Sequence, residues 1–271
     1  MNVKLPFILI AISVLMIGCA TNPFTGKKTM AFVSNASLFP SAFLQYDQFL
    51  KEHDVIVSTA NSKMIRRVGK RISSAAEKWL NANGYQDYLK DYRWEYNLVN
   101  DTLINAWCMP GGKIVFYSGI LEIAKNEKGI ATIMGHEVAH ALANHGQQRM
   151  SAAYIQSGLA MAGNVAINDE SSRSVFNQSF GIVTSVGGML PFSRSHESQA
   201  DEIGLLIMAV AGYDPSEAPE LWKRMKSSKI GEAPPEFLST HPSNDTRIDN
   251  LTKGIQKAKN EAKKFGITSF D

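Results

Sequence analysis

The sequence predicts an α+β fold in which helices dominate and one small antiparallel sheet is inserted early. Long stretches between residues 47 and 264 repeat apolar residues at helical spacing, most clearly over 47–80 with Val55, Ile56, Met64, Ile65, Val68, Ile72 and Leu80. Residues 93–118 instead hold three short strand-like runs, interrupted by Pro110-Gly111-Gly112. The chain is 44% hydrophobic and 20% charged, the composition of a folded protein with ample core. Its 271 residues allow one large domain or two small ones, and no internal repeat divides them. A net charge of +3 with no basic cluster argues against a nucleic-acid partner.

The N-terminus reads as a lipoprotein signal peptide over residues 1–18. Lys4 precedes an apolar run, 5–17, that is too short for a comfortable membrane span. The run ends in Ile17-Gly18-Cys19, the pattern of a bacterial lipobox, with Met16 where Leu is usual. Cys19 is then the lipidation site and places the protein in the cell envelope. Ala20 is not the Asp that retains lipoproteins at the inner membrane, which favours the outer membrane facing the periplasm. Cys108 is left without a disulfide partner and reads as a small apolar strand residue. Residues 19–50, rich in Thr, Asn, Pro, Gly and Ser up to about 40, form a tether and N-terminal segment before a domain over 51–271.

Within that domain the 47–80 helix ends before Gly84. Strands follow at 93–99, carrying Trp94, Tyr96 and Leu98, at 103–108, and at 113–118. A short helix spans 118–125, and Asn126 caps the next, which runs to about Met150. Residues 151–190 read as two helices, about 154–167 and 176–190, too polar to be membrane spans and packed as a hairpin on the domain. A mobile cover over the active site, or a surface that touches the membrane, is the sharper alternative for them. A helix covers 195–211, and Asp214-Pro215 opens another that runs to about 227. A loop with three prolines, 231–243, leads to a charged helix over 244–264.

The chemistry is concentrated in His136-Glu137-Val138-Ala139-His140. Residues four apart on a helix are rotated by about 40°, so both imidazoles face one way and can hold one Zn2+. Glu137 can then act as base on an attacking water. A catalytic zinc needs a third protein ligand. A third His six residues after the second is missing, because Gly146 stands there. His145 lies about 140° from His140 on a continuous helix and reads as structural. Glu197 and Asp201, one turn apart on a second helix, supply a better answer. Glu197 can ligate, and Asp201 can accept a hydrogen bond from the outer nitrogen of His136.

With these pieces in place the chain resembles the gluzincin zinc metallopeptidases of the HtpX, BepA and LoiP type. The resemblance spans roughly 51–271 and most of the tether. It rests on Asn105-Ala106 followed by Pro110-Gly111-Gly112, on His136 to His140 with His145, and on Ser193-Arg194 with Glu197 and Ala200-Asp201. It rests also on His241-Pro242 with Arg247, and on Thr-Asn-Pro-Phe-Thr-Gly-Lys-Lys at 21–28. It implies a gluzincin domain, one zinc per chain held by His136, His140 and Glu197, Glu137 as base, and Asp201 behind the ligands. It also singles out His241 and Arg247. The matching His stabilises the oxyanion in one reading of the family and blocks the metal's open position in another.

The expected reaction is peptide-bond hydrolysis by an envelope endopeptidase that degrades misfolded or misassembled proteins. His241 and Arg247 would face the developing oxyanion. The substrate would add as a strand beside 113–118, with Pro110, Gly111 and Gly112 shaping the approach or serving as an ordinary turn. The rival expectation is a zinc-bearing periplasmic chaperone or assembly factor with negligible turnover; a metal hydrolase for a non-peptide substrate is a third. The tandem-repeat partner domain of some relatives is not seen in the sequence, so any partner is expected to be a separate chain.

Overall fold

A computed structural model describes residues 19–166, 169–170, 190–228 and 236–271. The leader over 1–18, nearly all of the helix expected at about 176–190 and the first part of the proline-rich loop, 231–235, lie outside the described residues, and a short helix occupies 236–240 of that loop. A hairpin of β1 (Cys19–Thr21) and β2 (Lys28–Met30) comes first. Helix α1 (Asn35–Glu52), strand β3 (Val55–Ile56) and helix α2 (Ala60–Ala82) follow. The sheet continues with β4 (Glu95–Val99), β5 (Ala106–Met109) and β6 (Lys113–Tyr117). After a 3-10 turn at Ser118–Ile120, the rest is helical: α3 (Leu121–Ala124), α4 (Glu127–Leu142), α5 (His145–Ala166), α6 (Leu190–Val210), α7 (Glu217–Ser227), α8 (Glu236–Thr240) and α9 (Asp245–Lys263). Among the described residues no helix is long and apolar enough to cross a membrane.

The sheet order is β3-β4-β6-β5. It is mixed rather than wholly antiparallel, because β4 and β6 run parallel with Glu95 opposite Lys113 and Val99 opposite Tyr117. After β4 the chain skips one position, forms β5 at the edge, and returns as β6 between the two. Strand β6 is therefore central and buried along its whole length. Its alternate residues face two cores: Ile114 and Phe116 join the main one with Val68, Ile72 and Leu98, while Val115 and Tyr117 pack with Tyr46 of α1. Packing onto the domain thus includes α1 and, through Phe24, the hairpin before it, both starting within the 19–50 N-terminal segment. The single helix expected over 47–80 is two helices, parted where Val55 and Ile56 pair with Val99 and Leu98.

The motif helix ends earlier than its periodicity suggests. Thr132 to Leu142 is buried throughout, and Asn126 accepts a hydrogen bond from Gly129 N–H at 3.1 Å at the N-terminus. At the other end Asn144 takes a left-handed conformation, φ 54°, which its short polar side chain tolerates. Tyr88 and Tyr92 donate to the carbonyls of Leu142 and Ala141 at 2.7 and 2.9 Å, helping to satisfy the last turn. His145 therefore opens a new helix, and the rotation expected for a continuous one does not apply.

Candidate metal centre

Helices α4 and α6 bring the site together by crossing at two glycines. A Cβ on Gly135 would sit 3.0 Å from Gly204 O, and one on Gly204 would sit 3.0 Å from His136 N. Backbone fills the crossing, so the two helices approach as closely as they can. One residue from this crossing on α4 is His136, and one turn before it on α6 is Asp201. Next turns outward carry His140 and Glu197.

Four groups converge. His136 Nε2 lies 3.1 Å from His140 Nε2 and 3.3 Å from Glu197 Oε2. His140 Nε2 lies 3.2 Å from Glu197 Oε1. Ligands about 2.0–2.1 Å from a tetrahedral zinc stand about 3.3 Å apart. The three separations match that edge, and the donors are the imidazoles and carboxylate that zinc takes. His241 Nδ1 completes the figure, 3.2 Å from His136 Nε2 and 2.9 Å from Glu197 Oε2. All four residues offer atoms within 4.8 Å of one another. Glu137 is buried beside them, and its Oε1 has no hydrogen-bond partner, although His241 Nε2 is 3.5 Å away. A buried carboxylate oxygen without a partner beside a set of converging lone pairs fits a bound ion and an attacking water.

Behind His136 the polar groups are fully engaged. Its Nδ1 lies 3.0 Å from Asp201 Oδ1. Arg247 holds Asp201 by two bonds, Nε to Oδ2 at 2.8 Å and Nη2 to Oδ1 at 2.7 Å. The guanidinium also donates to Pro242 O at 3.1 Å and stacks 3.3 Å from the Trp222 ring centre. Asn244 caps α9 by accepting from Arg247 N–H at 2.8 Å, which fixes where the side chain starts. Burial by itself would raise the Asp201 carboxyl, but Arg247 and His136 outweigh it and hold it below the usual range. Burial likewise opposes the charge on Glu197, yet His136, His140 and His241 keep it strongly ionised. Burial pushes Glu137 up, with His241 and His136 pulling it back.

The expected site residues fall into three groups. His136, Glu137, His140, Glu197, Asp201 and His241 meet at one place. Arg247 is there too: besides Asp201 and Pro242, its Nη1 lies 3.3 Å from Glu197 Oε2, so its guanidinium borders the ligand set and braces the carboxylates behind it. Gly111 and Gly112, with φ of 85° and 89°, form the β5–β6 turn under Phe43 and Trp94, where a Cβ would come within 2.5 Å of either ring. They are a packed turn, and only Pro110 shares a pocket wall with His140. The strand expected to bind substrate, β6, has partners on both sides; the edge is β5. Cys108 lies half-buried on β5, its thiol pushed well up by burial and by Glu137. Cys19 opens β1 opposite Met30. Sequence reasoning missed Trp222, whose role under Arg247 has no local signature, and it read past Gln199 and Asn22.

Residues 66–255, more than half of the chain, match the family described as Peptidase family M48. The chain belongs to this family. Its members are zinc-dependent metallopeptidases, in keeping with the His-His-Glu-His cluster. Among curated proteins it is similar to the mitochondrial metalloendopeptidase OMA1 of Saccharomyces cerevisiae, 37% identical over 177 residues, covering 63% of this chain and 49% of that one. The OMA1 of Schizosaccharomyces pombe is 34% identical over 172 residues, with the same 63% and 49% coverage. The beta-barrel assembly-enhancing protease of Escherichia coli is 28% identical over 156 residues, covering 56% of this chain and 32% of that one. The chain spans about half the length or less of these relatives.

Proposed function

We propose that the chain is a zinc metalloendopeptidase of the cell envelope, lipid-anchored at Cys19, that cleaves unfolded or misassembled proteins. The observation that carries the reading is the partnerless Glu137 Oε1 beside the converging His136, His140 and Glu197. Bound zinc polarises a carbonyl and lowers the pKa of its water to about 7. Glu137 takes the proton from the attacking water and returns it to the leaving amine. Asp201, held by Arg247, orients His136 and increases its basicity.

The substrate backbone adds at β5. Asn105 O accepts from Tyr117 N–H at 3.1 Å, and Ala106 stands opposite Phe116. Antiparallel alternation then turns the main-chain groups of Ala106 and Cys108 toward the free edge. The Ala106 N–H already meets the Asn105 side chain, leaving its carbonyl and both groups of Cys108 for a guest strand. Such pairing reads no side chain and suits a broad set of unfolded chains. Phe237 N–H donates to Ile104 O at 3.0 Å, tying the segment that carries His241 to the start of this edge.

His241 supports a latent enzyme. Its Nδ1 lies within 3.2 Å of two proposed ligands, at the fourth corner, so it must swing away before a substrate carbonyl can enter. The second reading, a chaperone or assembly factor without turnover, draws on the same contact and on the name of the Escherichia coli relative. Intact Glu137 favours the enzyme. The lipobox-like Gly18-Cys19 favours the envelope, where a separate partner chain would deliver substrates.

Glu137→Gln tests the reading. The variant should keep one zinc per chain and lose cleavage of a reduced, unfolded protein substrate. Cleavage at the parent rate refutes the mechanism.

A further inference from the structure

His136 is oriented by Asp201, yet the second imidazole has no carboxylate behind it. Its outer nitrogen meets a chain of neutral groups that ends in the N-terminal hairpin. His140 Nδ1 lies 2.8 Å from His145 Nδ1, and His145 Nε2 lies 2.7 Å from Gln199 Oε1. Gln199 Oε1 in turn accepts from Asn22 Nδ2 at 3.3 Å. Asn22 is buried in the β1–β2 turn. Phe24 holds that turn on the domain, stacked 4.5 Å from Trp79.

The direction of every bond in this chain follows from its far end. Asn22 Oδ1 accepts from Phe24 N–H at 2.9 Å. A backbone N–H only donates, so it settles which end of the Asn22 amide is oxygen. Nδ2 then points at Gln199 as a donor, and Gln199 must answer with its oxygen. Gln199 Nε2 faces Thr25 Oγ1 at 3.4 Å, consistent with that orientation. A carbonyl oxygen only accepts, so His145 carries its hydrogen on Nε2. A neutral imidazole has one N–H, which leaves a lone pair on His145 Nδ1. His140 must therefore donate from Nδ1, and its own lone pair is confined to Nε2, the atom that faces His136 and Glu197.

We propose that Asn22 is a positioning residue of the metal centre: through Gln199 and His145 it fixes the tautomer and ring orientation of His140. The hairpin is thus part of the zinc site, and the segment following Cys19 is coupled to ligand geometry. The inference rests on the zinc reading above. It assigns His145 and Gln199 the task for His140 that Asp201 performs for His136.

Asn22→Asp is the discriminating variant. It keeps the shape and the acceptor for Phe24 N–H but replaces the donor with a second acceptor. Gln199 must turn its Nε2 toward residue 22, which reverses the polarity of the chain. Zinc affinity of the full protein, measured by competition with a chromophoric chelator, should fall about tenfold or more. In zinc-stripped protein, imidazole 15N shifts should show His140 protonated at Nδ1 in the parent and at Nε2 in the variant. Lys27→Ala alters an exposed side chain of the same turn, touches no member of this chain of bonds, and should keep zinc affinity within about twofold of the parent. An Nε2–H His140 in the parent overturns the inference whatever the variants do. So does unchanged affinity in Asn22→Asp, or an equal loss in Lys27→Ala. A parent that binds no zinc overturns the metal reading and this inference together, whereas the other results leave the metal reading intact.

Discussion

Gly204→Ala puts the helix crossing under direct test. The added methyl would lie 3.0 Å from His136 N, 3.1 Å from Gly135 C and 3.2 Å from Gly135 O. Comfortable carbon contacts begin at about 3.5 Å, so α4 and α6 must separate by about 0.5 Å. All three atoms are helix backbone, which cannot step aside as a side chain can. Overpacking of this kind costs about 1–3 kcal/mol, and the better helix propensity of Ala returns about 1 kcal/mol. The net loss is about 1 kcal/mol, a fall in Tm of about 2–4 °C for a chain of this size. The metal should feel it more. Separating the helices pulls Glu197 from His136 and His140, whose present spacings of 3.3 and 3.2 Å already equal the zinc edge. Zinc affinity should drop about tenfold, as for other losses of ligand support. Thermal melts and chelator competition measure both quantities. Gly158→Ala is the control: nothing lies within 4 Å of a Cβ there, so it should leave zinc affinity unchanged. A Gly204→Ala protein with parental zinc affinity and a raised Tm would refute the claim that this crossing sets the site.

Three further outcomes follow from the same contacts. Asp201→Asn leaves the buried Arg247 without its bidentate partner and should destabilise the chain by about 3–5 kcal/mol, read by urea unfolding, while weakening zinc about 10–100-fold. His241→Ala should raise cleavage of an unfolded substrate at least several-fold, because its ring is removed from the fourth corner; equal rates in parent and variant would remove the latch from the account. Glu127, in the first turn of α4, is held below the usual carboxyl range by its hydrogen bond to Arg67, against partial burial and with help from Tyr213. A depressed folded pKa adds stability above the unfolded value, about 4.3, and loses it as pH falls through the folded one. Glu127→Gln should therefore cost about 0.5 kcal/mol at pH 7 in chemical denaturation, the scale of an exposed ion pair, and progressively less below about pH 4.

What the sequence disclosed depended on how local the signal was. His136, Glu137 and His140 declare themselves through one turn of helix, and Glu197 with Asp201 through another, because i,i+4 spacing is a property of the chain alone. Asn126 was legible as a cap because its signal is equally local, whereas the capping role of Asn244 was not read. The edge strand was not legible. Periodicity gives the faces of β5 and β6 but not their lateral order, and β6 slips between β4 and β5 through a parallel pairing that no neighbouring residue encodes. Strand β3 was read as helix because two residues between long helices are too few to break a 3.6-residue pattern. The break at Asn144 was missed because no Gly or Pro marks it; the hydroxyls of Tyr88 and Tyr92, more than 45 residues earlier, complete the helix end. Arg247 was legible as a site residue, but its partners were not, since only the folded chain places Trp222 beneath it and Asp201 in front of it.

The central claim is that the α4–α6 crossing builds one zinc site from nitrogen and oxygen donors. X-ray absorption at the zinc edge of the loaded, full-length protein tests it most directly. The predicted result is one zinc per chain with a first shell of nitrogen and oxygen only, imidazole scattering included, and loss of that zinc in Glu197→Ala. A sulfur neighbour, which only Cys108 or Cys19 could supply without methionine, or a zinc retained in full by Glu197→Ala, would contradict it.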